Sequence, residues 1–232
     1  MADSRNLELP EPSHGDAAHA FVRAALSAVP VVGGPAVELF SAVVTPPLQR
    51  RLQEWMHDVA RAIDDLEHSG IVSLDQIAQN EVFIDTLLHA SQAALRTHQA
   101  EKRAALRNAI LNAALPNPPD ESLQQMIVSL VDQYTPWHLQ LLEFARDPRE
   151  WFRRRNRPVP SGEYMAELEV IHIAFPETKD RDEFIRQVWK DLYQDGLVYL
   201  ADLNTTWEHP HELDVLISSL GHQFLRFIER PA

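Results

Sequence analysis

The chain contains 232 residues, of which 34 are acidic and 21 are basic, so its formal net charge is −13. The absence of cysteine excludes disulfides, thiolate metal sites and cysteine nucleophiles. The negative charge disfavours nucleic acid as a partner, because phosphate backbones are also negative. With only 7 glycines, the composition is unlike that of a turn-rich β protein or a fold that depends on glycine loops.

The first residues, MADSRNLELPEPSHGD, are acidic and contain two prolines. They lack the basic region and the apolar region that a secretory signal requires. We therefore expect a disordered leader over residues 1–18, followed by a helical domain over residues 19–152, in a cytoplasmic protein.

The longest uncharged stretch is Ala24–Val37, and prolines and glycines interrupt it near its middle. One interpretation is a helix, a turn and a second helix that pack in a protein core. The alternative is an amphipathic hairpin over residues 21–45 that lies on or inserts into a membrane. The residues assigned to contact with a membrane or a partner are Val31, Val32, Gly33, Gly34 and Phe40.

Apolar residues recur at three- and four-residue steps through most of the segment up to residue 152, a spacing that predicts helices. The clearest stripe predicts a helix over 47–67 that begins at the proline pair Pro46-Pro47 and stops at Gly70. A further apolar pattern, rich in alanine, extends from Glu81 to Leu115. Shorter helices are predicted after Asp120, after the Thr135-Pro136 cap and after Asp147.

Residues 153–160, with the sequence RRRNRPVP, are basic, contain proline and have no periodicity. This composition predicts a linker and a domain boundary. Its charge is typical of a solvated connector that pairs with an acidic surface. The alternative is a patch that binds an anionic ligand or nucleic acid.

Residues 161–232 show the element order of a small winged-helix-like α+β domain. Two helical stripes are followed by the short apolar run LVYL at 197–200, which predicts a strand. A polar loop, a returning strand at 213–217 and a final helix complete the pattern. Acidic residues outnumber basic ones in this segment, so we expect protein contact or dimerisation rather than DNA binding.

Sequence motifs of the common catalytic and phosphate-binding sites are absent. The chain has no Walker or dinucleotide-binding glycine loop, no GxSxG and no HExxH. No catalytic residue, cofactor or metal is therefore predicted, although a site whose residues converge only in three dimensions stays open.

Several histidines and carboxylates allow both a structural and a chemical interpretation. His209 and His211 could hold a metal on a strand, but a solvated loop is the preferred interpretation. His138 is expected to pack or to cap a helix, and His172 to be a hydrogen-bonded residue at the edge of the core. Glu167, four residues after Glu163, is expected on a solvated helix face.

Five segments together resemble a known group of proteins: PVVGGPAVELF at 30–40, PLQRRLQEW after it, ALRNAILNAALP at 105–116, LVDQYTPWHLQLL at 130–142 and DLYQDGLVYL near the C-terminus. They resemble an uncharacterised group of bacterial helical proteins that is similar in layout to the abortive-infection alpha type. The resemblance covers roughly residues 20–228. It implies a role in phage defence or a toxin-like role, and it carries no active-site residues.

The sequence thus predicts a mainly α protein, with a multi-helix N-terminal domain followed by the winged-helix-like domain. The leading functional hypothesis is a non-enzymatic interaction or regulatory module that binds another protein or itself. A membrane-perturbing effector and a hydrolase or nucleotide-binding protein with a dispersed site are the alternatives. The proposed interaction surface comprises Arg153, Arg154, Arg155, Arg186, Trp189 and Lys190.

Overall fold

The computed structural model describes residues 35–160, 166–204 and 215–231, with side chains from residue 48 onward. The described part is mainly helical, with 71% of it in helices and no strand. The prediction of a mainly α protein is therefore confirmed. The α-helices are α1 Pro35–His68, α2 Leu74–Ile77, α3 Glu81–Arg96, α4 Ala100–Ala113, α5 Glu121–Gln133, α6 Pro136–Arg146, α7 Pro148–Arg154, α8 Glu167–Ala174, α9 Asp182–Gln194 and α10 Ser219–Ile228.

Contacts divide the chain into two compact units. The first unit comprises Met1–Val128 with Arg230–Ala232, and the second comprises Ser129–Glu229. The division falls within α5, at a different point from the predicted linker at 153–160.

Helix α1 begins at Pro35, twelve residues before the predicted start, and continues through Pro46 and Pro47. Proline inside a helix removes a hydrogen bond and usually kinks or ends the helix, which is why the pair predicted a start. The predicted start was wrong, because the φ of proline also fits a helix and α1 continues through both residues. The predicted C-terminal stop is confirmed. Gly70 has a φ of 72°, and the N–H of Ile71 donates to the carbonyl of Leu66.

The core of the first unit forms where α1, α3 and α4 meet. The predicted stripe of α1 is buried at Trp55, Val59, Ile63 and Leu66, whereas Leu48 is exposed. Trp55 Nε1 donates a hydrogen bond of 2.9 Å to Ser91 Oγ on α3. Alanines on α3 and α4 are buried in the same core, and their small side chains allow close helix contact.

The alanine-rich pattern from Glu81 to Leu115 forms two helices rather than one. The chain is extended at Thr97, with φ −114° and ψ 145°, and the N–H of Gln99 donates to Thr97 Oγ1. A threonine that binds the backbone two residues later favours a turn over a continued helix. The periodicity of the apolar residues does not reveal this short break.

Aromatic rings form the core of the second unit. Phe144 makes edge-to-face contacts with Trp151, Phe152 and Phe175, with ring centroids 5.6–6.1 Å apart. Trp137 contacts Phe175 in the same way at 5.7 Å. Such contacts stabilise a core beyond the burial of their area.

The described residues do not support the winged-helix domain. Of the two predicted strands, only Val198 and Ile217 pair, in a single antiparallel bridge. Two backbone hydrogen bonds flank this bridge: the N–H of Tyr199 donates to Leu216, and the N–H of Ser218 donates to Leu197. The N–H of Leu197 instead donates to Leu192 at the end of α9, and the N–H of Leu216 donates to Ala145 of α6. The apolar run LVYL therefore ends α9 with two buried residues, Leu197 and Val198, and continues as a loop that exposes Tyr199.

Candidate interaction surface

One side of α9 presents a stripe of basic and aromatic side chains. Arg186, Lys190 and Tyr193 are spaced i, i+4 and i+7, so they lie on one side of the helix. Tyr199 follows in the loop after α9 and is 67% exposed, and Tyr193 is 42% exposed. We call these four residues the α9 surface.

The opposite side of α9 is anchored in the core of the second unit. Its buried residues include Val188, Trp189 and Leu192. Trp189 Nε1 donates a hydrogen bond of 2.8 Å to the carbonyl of Leu200, which places Tyr199 beside the middle of the helix. The α9 surface is thus supported by a packed base.

The structure separates the three residues of α9 that the sequence assigned to an interaction surface. Arg186 and Lys190 lie on the α9 surface, whereas Trp189 is 1% exposed and belongs to the core. Neighbouring helical residues point about 100° apart, so Trp189 and Lys190 face different surroundings. Arg186 lies 3.6 Å from Asp202, an exposed ion pair of small energetic value.

The three arginines at the end of α7 contact other residues of the second unit. Arg154 donates to Glu150 at 2.9 Å, and Arg153 pairs with the same carboxylate. The Arg155 guanidinium lies 4.0 Å from the ring centroid of Trp151, a cation–π contact. Part of their positive charge is therefore neutralised by Glu150 within the second unit. Pairing with acidic residues is what the interpretation as a connector predicts.

A polar network that sequence reasoning missed joins α6 to α9. Tyr134 donates a hydrogen bond of 2.6 Å to Asp195, and its ring stacks on His138 with centroids 4.5 Å apart. His138 Nε2 lies 3.4 Å from Asp191. Burial, followed by the hydrogen bond to Asp195, raises the pKa of Tyr134. The tyrosine therefore stays protonated and remains a donor.

The Thr135, His138 and Asp191 side chains follow one another like a nucleophile, a base and an orienting carboxylate, yet their contacts indicate a helix cap. His138 Nδ1 accepts from the N–H of Thr135 at 3.1 Å and lies 2.9 Å from its hydroxyl oxygen. A nitrogen that accepts from the backbone in a capping box is poorly placed to serve as a base. The expectation that His138 caps a helix is confirmed.

His172 also matches its expected structural role. Its Nδ1 lies 2.8 Å from Thr178 Oγ1, and its Nε2 lies 3.0 Å from Asp182. Both ring nitrogens thus have partners at the edge of the core.

Several predicted residues lie where the structure gives little information about them. Val31, Val32, Gly33 and Gly34 are outside the described residues, as are His209 and His211, and Phe40 is described only as backbone within α1. In the described ranges, no three histidine, aspartate or glutamate side chains gather as metal ligands.

None of the helices in the described part is both long and apolar enough to cross a bilayer.

Glu167 is buried, which corrects the expectation of a solvated position. It lies in the first turn of α8, is 3% exposed, and burial raises its pKa from an ordinary value near 4.5 to about 8. Below pH 4.5 the carboxyl is neutral in both the folded and the unfolded state, so its contribution to stability is fully present. This contribution is lost as the pH rises through 8, because the unfolded state ionises first.

The Glu167→Gln variant is expected to lose less stability than the wild type between pH 5 and pH 8. We expect a difference of about 2 kcal/mol in the free energy of unfolding, less than the full shift implies because water enters on ionisation. Urea unfolding at both pH values measures it, and the exposed Glu169→Gln variant is the control. An identical pH dependence in both variants would contradict the prediction.

Comparisons of the chain with protein-family models, curated proteins and solved structures give no match.

Proposed function

We propose that the protein is a non-enzymatic interaction module that binds another protein through the α9 surface. The observation that carries this proposal is the exposure of Tyr193 on the same side of α9 as Arg186 and Lys190, together with exposed Tyr199 in the loop that Trp189 binds. Tyrosine and arginine are enriched in protein interfaces, because each combines a large contact area with hydrogen-bonding groups.

The buried contacts that hold α9 in place favour binding through its exposed side. Trp189 and Leu192 are buried, and Asp195, at the end of α9, accepts from Tyr134. A helix held by its neighbours loses little conformational freedom when a partner binds, so more of the contact energy appears as affinity.

The basic residues of the α9 surface indicate a partner with acidic groups. A second copy of this chain also offers acidic groups, and the α9 surface could bind them locally even though the net charge of −13 on each copy opposes association at long range. Self-association is the simplest form of binding to test, because it requires only this chain. At about 20 Å, α9 is long enough to pack against a helix of the second copy.

The paired substitutions Lys190→Glu and Tyr199→Asp are expected to weaken self-association at least about tenfold, which corresponds to roughly 1.4 kcal/mol. Sedimentation equilibrium measures the change in the dissociation constant. The matched control carries Leu48→Asp and Arg50→Glu, which add the same charge at exposed positions of α1.

Photo-crosslinking from residue 193 tests for a different protein partner. A crosslinked product that the paired substitutions abolish, and the control retains, would support the proposal. A wild-type monomer without a crosslinked partner would refute it, as would equal loss in both variants.

The setting of this module is proposed to be bacterial phage defence, on the basis of the resemblance to the abortive-infection alpha type. The same paired variants can be compared in bacteria challenged with phage. Protection that the control retains and the α9-surface variant loses would support both the setting and the surface.

A further inference from the structure

A cleft in the first unit lies between α1 and α4. Its volume is about 420 Å³, within the range of small-molecule sites. Leu66 and Leu111 give it an apolar wall, and Arg61, Arg107 and Arg230 also line it. We call this feature the α1–α4 cleft.

Arg107, which lines this cleft, has an unused donor. Its Nε is buried and has no hydrogen-bond partner in the structure. A buried donor without an acceptor is unfavourable, and the penalty is larger for a charged group. An acceptor brought by a ligand would remove this penalty.

Arg103, one turn earlier on α4, provides a direct comparison. Its guanidinium nitrogens lie 3.7 Å from Glu54 and 3.9 Å from Asp58, both on α1. Arg103 thus joins α4 to α1 through carboxylates, whereas Arg107 Nε has no hydrogen-bond acceptor. The two arginines have the same chemistry and different surroundings.

The charges around the cleft favour an anion despite two carboxylates. Asp58 and Asp65 line the cleft together with the three arginines. Asp58 already lies near Arg103, which offsets part of its charge. Arg61 contacts the exposed His57, which brings no negative charge. Cations therefore exceed carboxylates here, in a chain whose acidic residues outnumber its basic ones.

We propose that the α1–α4 cleft binds a small organic anion whose phosphate or carboxylate oxygen accepts a hydrogen bond from Arg107. The fork of a guanidinium fits both groups, because each offers two oxygens at a suitable spacing. The apolar part of the ligand would lie against Leu66 and Leu111. This site is separate from the α9 surface and does not depend on the proposed function.

Nuclear magnetic resonance of the arginine Nε–Hε groups tests this proposal on the full chain. The probes are benzoate and phenyl phosphate, with chloride at the same ionic strength. The Arg107 resonance, assigned by its loss in Arg107→Gln, is expected to shift to saturation with an organic anion and not with chloride. The anion that saturates at the lower concentration distinguishes a carboxylate from a phosphate ligand.

Calorimetry of two variants supplies the matched control. Arg107→Gln is expected to weaken binding of the better probe at least about tenfold, as loss of a charge-assisted hydrogen bond implies. Arg50→Gln, which removes an exposed arginine of α1 that does not line the cleft, is expected to retain the wild-type affinity. Arg107→Lys is expected to have an affinity between those of Arg107→Gln and the wild type. Circular dichroism verifies that each variant is folded. Absence of a saturating shift, or equal affinity of Arg107→Gln and the wild type, would overturn the proposal.

Discussion

Replacement of Trp189 with alanine is expected to lower the free energy of unfolding by about 3–5 kcal/mol, the range for large buried aromatic residues. The indole is 1% exposed, and its Nε1 donates to the carbonyl of Leu200. The substitution would leave a cavity beneath α9 and an unpaired backbone carbonyl. Because Tyr199 is held beside α9 through this contact, the α9 surface should also lose its arrangement.

Urea unfolding measured by circular dichroism tests this expectation. Lys190→Ala, the neighbouring substitution on the exposed side of α9, serves as the control and should change stability by less than about 0.5 kcal/mol. Trp189→Phe retains much of the buried area and removes the hydrogen bond, so it should fall between the two. A similar small effect of Trp189→Ala and Lys190→Ala would indicate that Trp189 lies at the surface, as the sequence suggested.

Local sequence signals predicted the helices and many of their ends. Gly70 and Gly196 both adopt a φ of 72° after a helix, because glycine has no Cβ that opposes this conformation. Thr135 and Pro136 begin α6 as predicted. Such features depend on a few neighbouring residues, so the sequence contains the information that determines them.

The C-terminal strands could not be predicted correctly because their backbone partners are distant in sequence. The run at 197–200 has the composition of a strand, yet its groups bind α9 and the segment before α10. Leu216 donates to Ala145, which is 71 residues away. Composition reports that a segment is buried and extended, but it does not identify the groups that its backbone meets.

The two proposed sites also differ in how far the sequence could identify their residues. Arg186 and Lys190 could be identified from the stripe of α9, since an amphipathic helix places its polar residues outward. Arg107 could not, because Arg103 and Arg107 occupy equivalent positions one turn apart on α4. Their difference arises from Glu54 and Asp58 of α1, which approach Arg103 only after the helices pack.

Gly221→Ala is expected to destabilise the protein by about 3 kcal/mol, at the upper end of the range for overpacking. Alanine normally stabilises a helix relative to glycine, so the expected sign is the reverse of the helical preference. A Cβ at residue 221 of α10 would overlap the carbonyl oxygen of Leu197 and Cγ1 of Ile217, and it would lie 3.0 Å from Cδ1 of Ile217. The carbonyl belongs to the backbone and also accepts from Ser218, so it cannot move without breaking that contact.

Gly70→Ala is the comparison that distinguishes two causes of destabilisation, a steric clash of the added Cβ and an unfavourable backbone conformation. It is measured in the same way. Gly70 has a φ of 72°, and no atom lies within 4 Å of the position of an added Cβ. Its substitution should lower the free energy of unfolding by about 1 kcal/mol through backbone strain alone. A larger effect at Gly221 than at Gly70 in urea unfolding is therefore the expected order. A neutral or stabilising Gly221→Ala would mean that α10 does not approach Leu197 as closely as the structure shows, and the base of the α9 surface would then be packed differently.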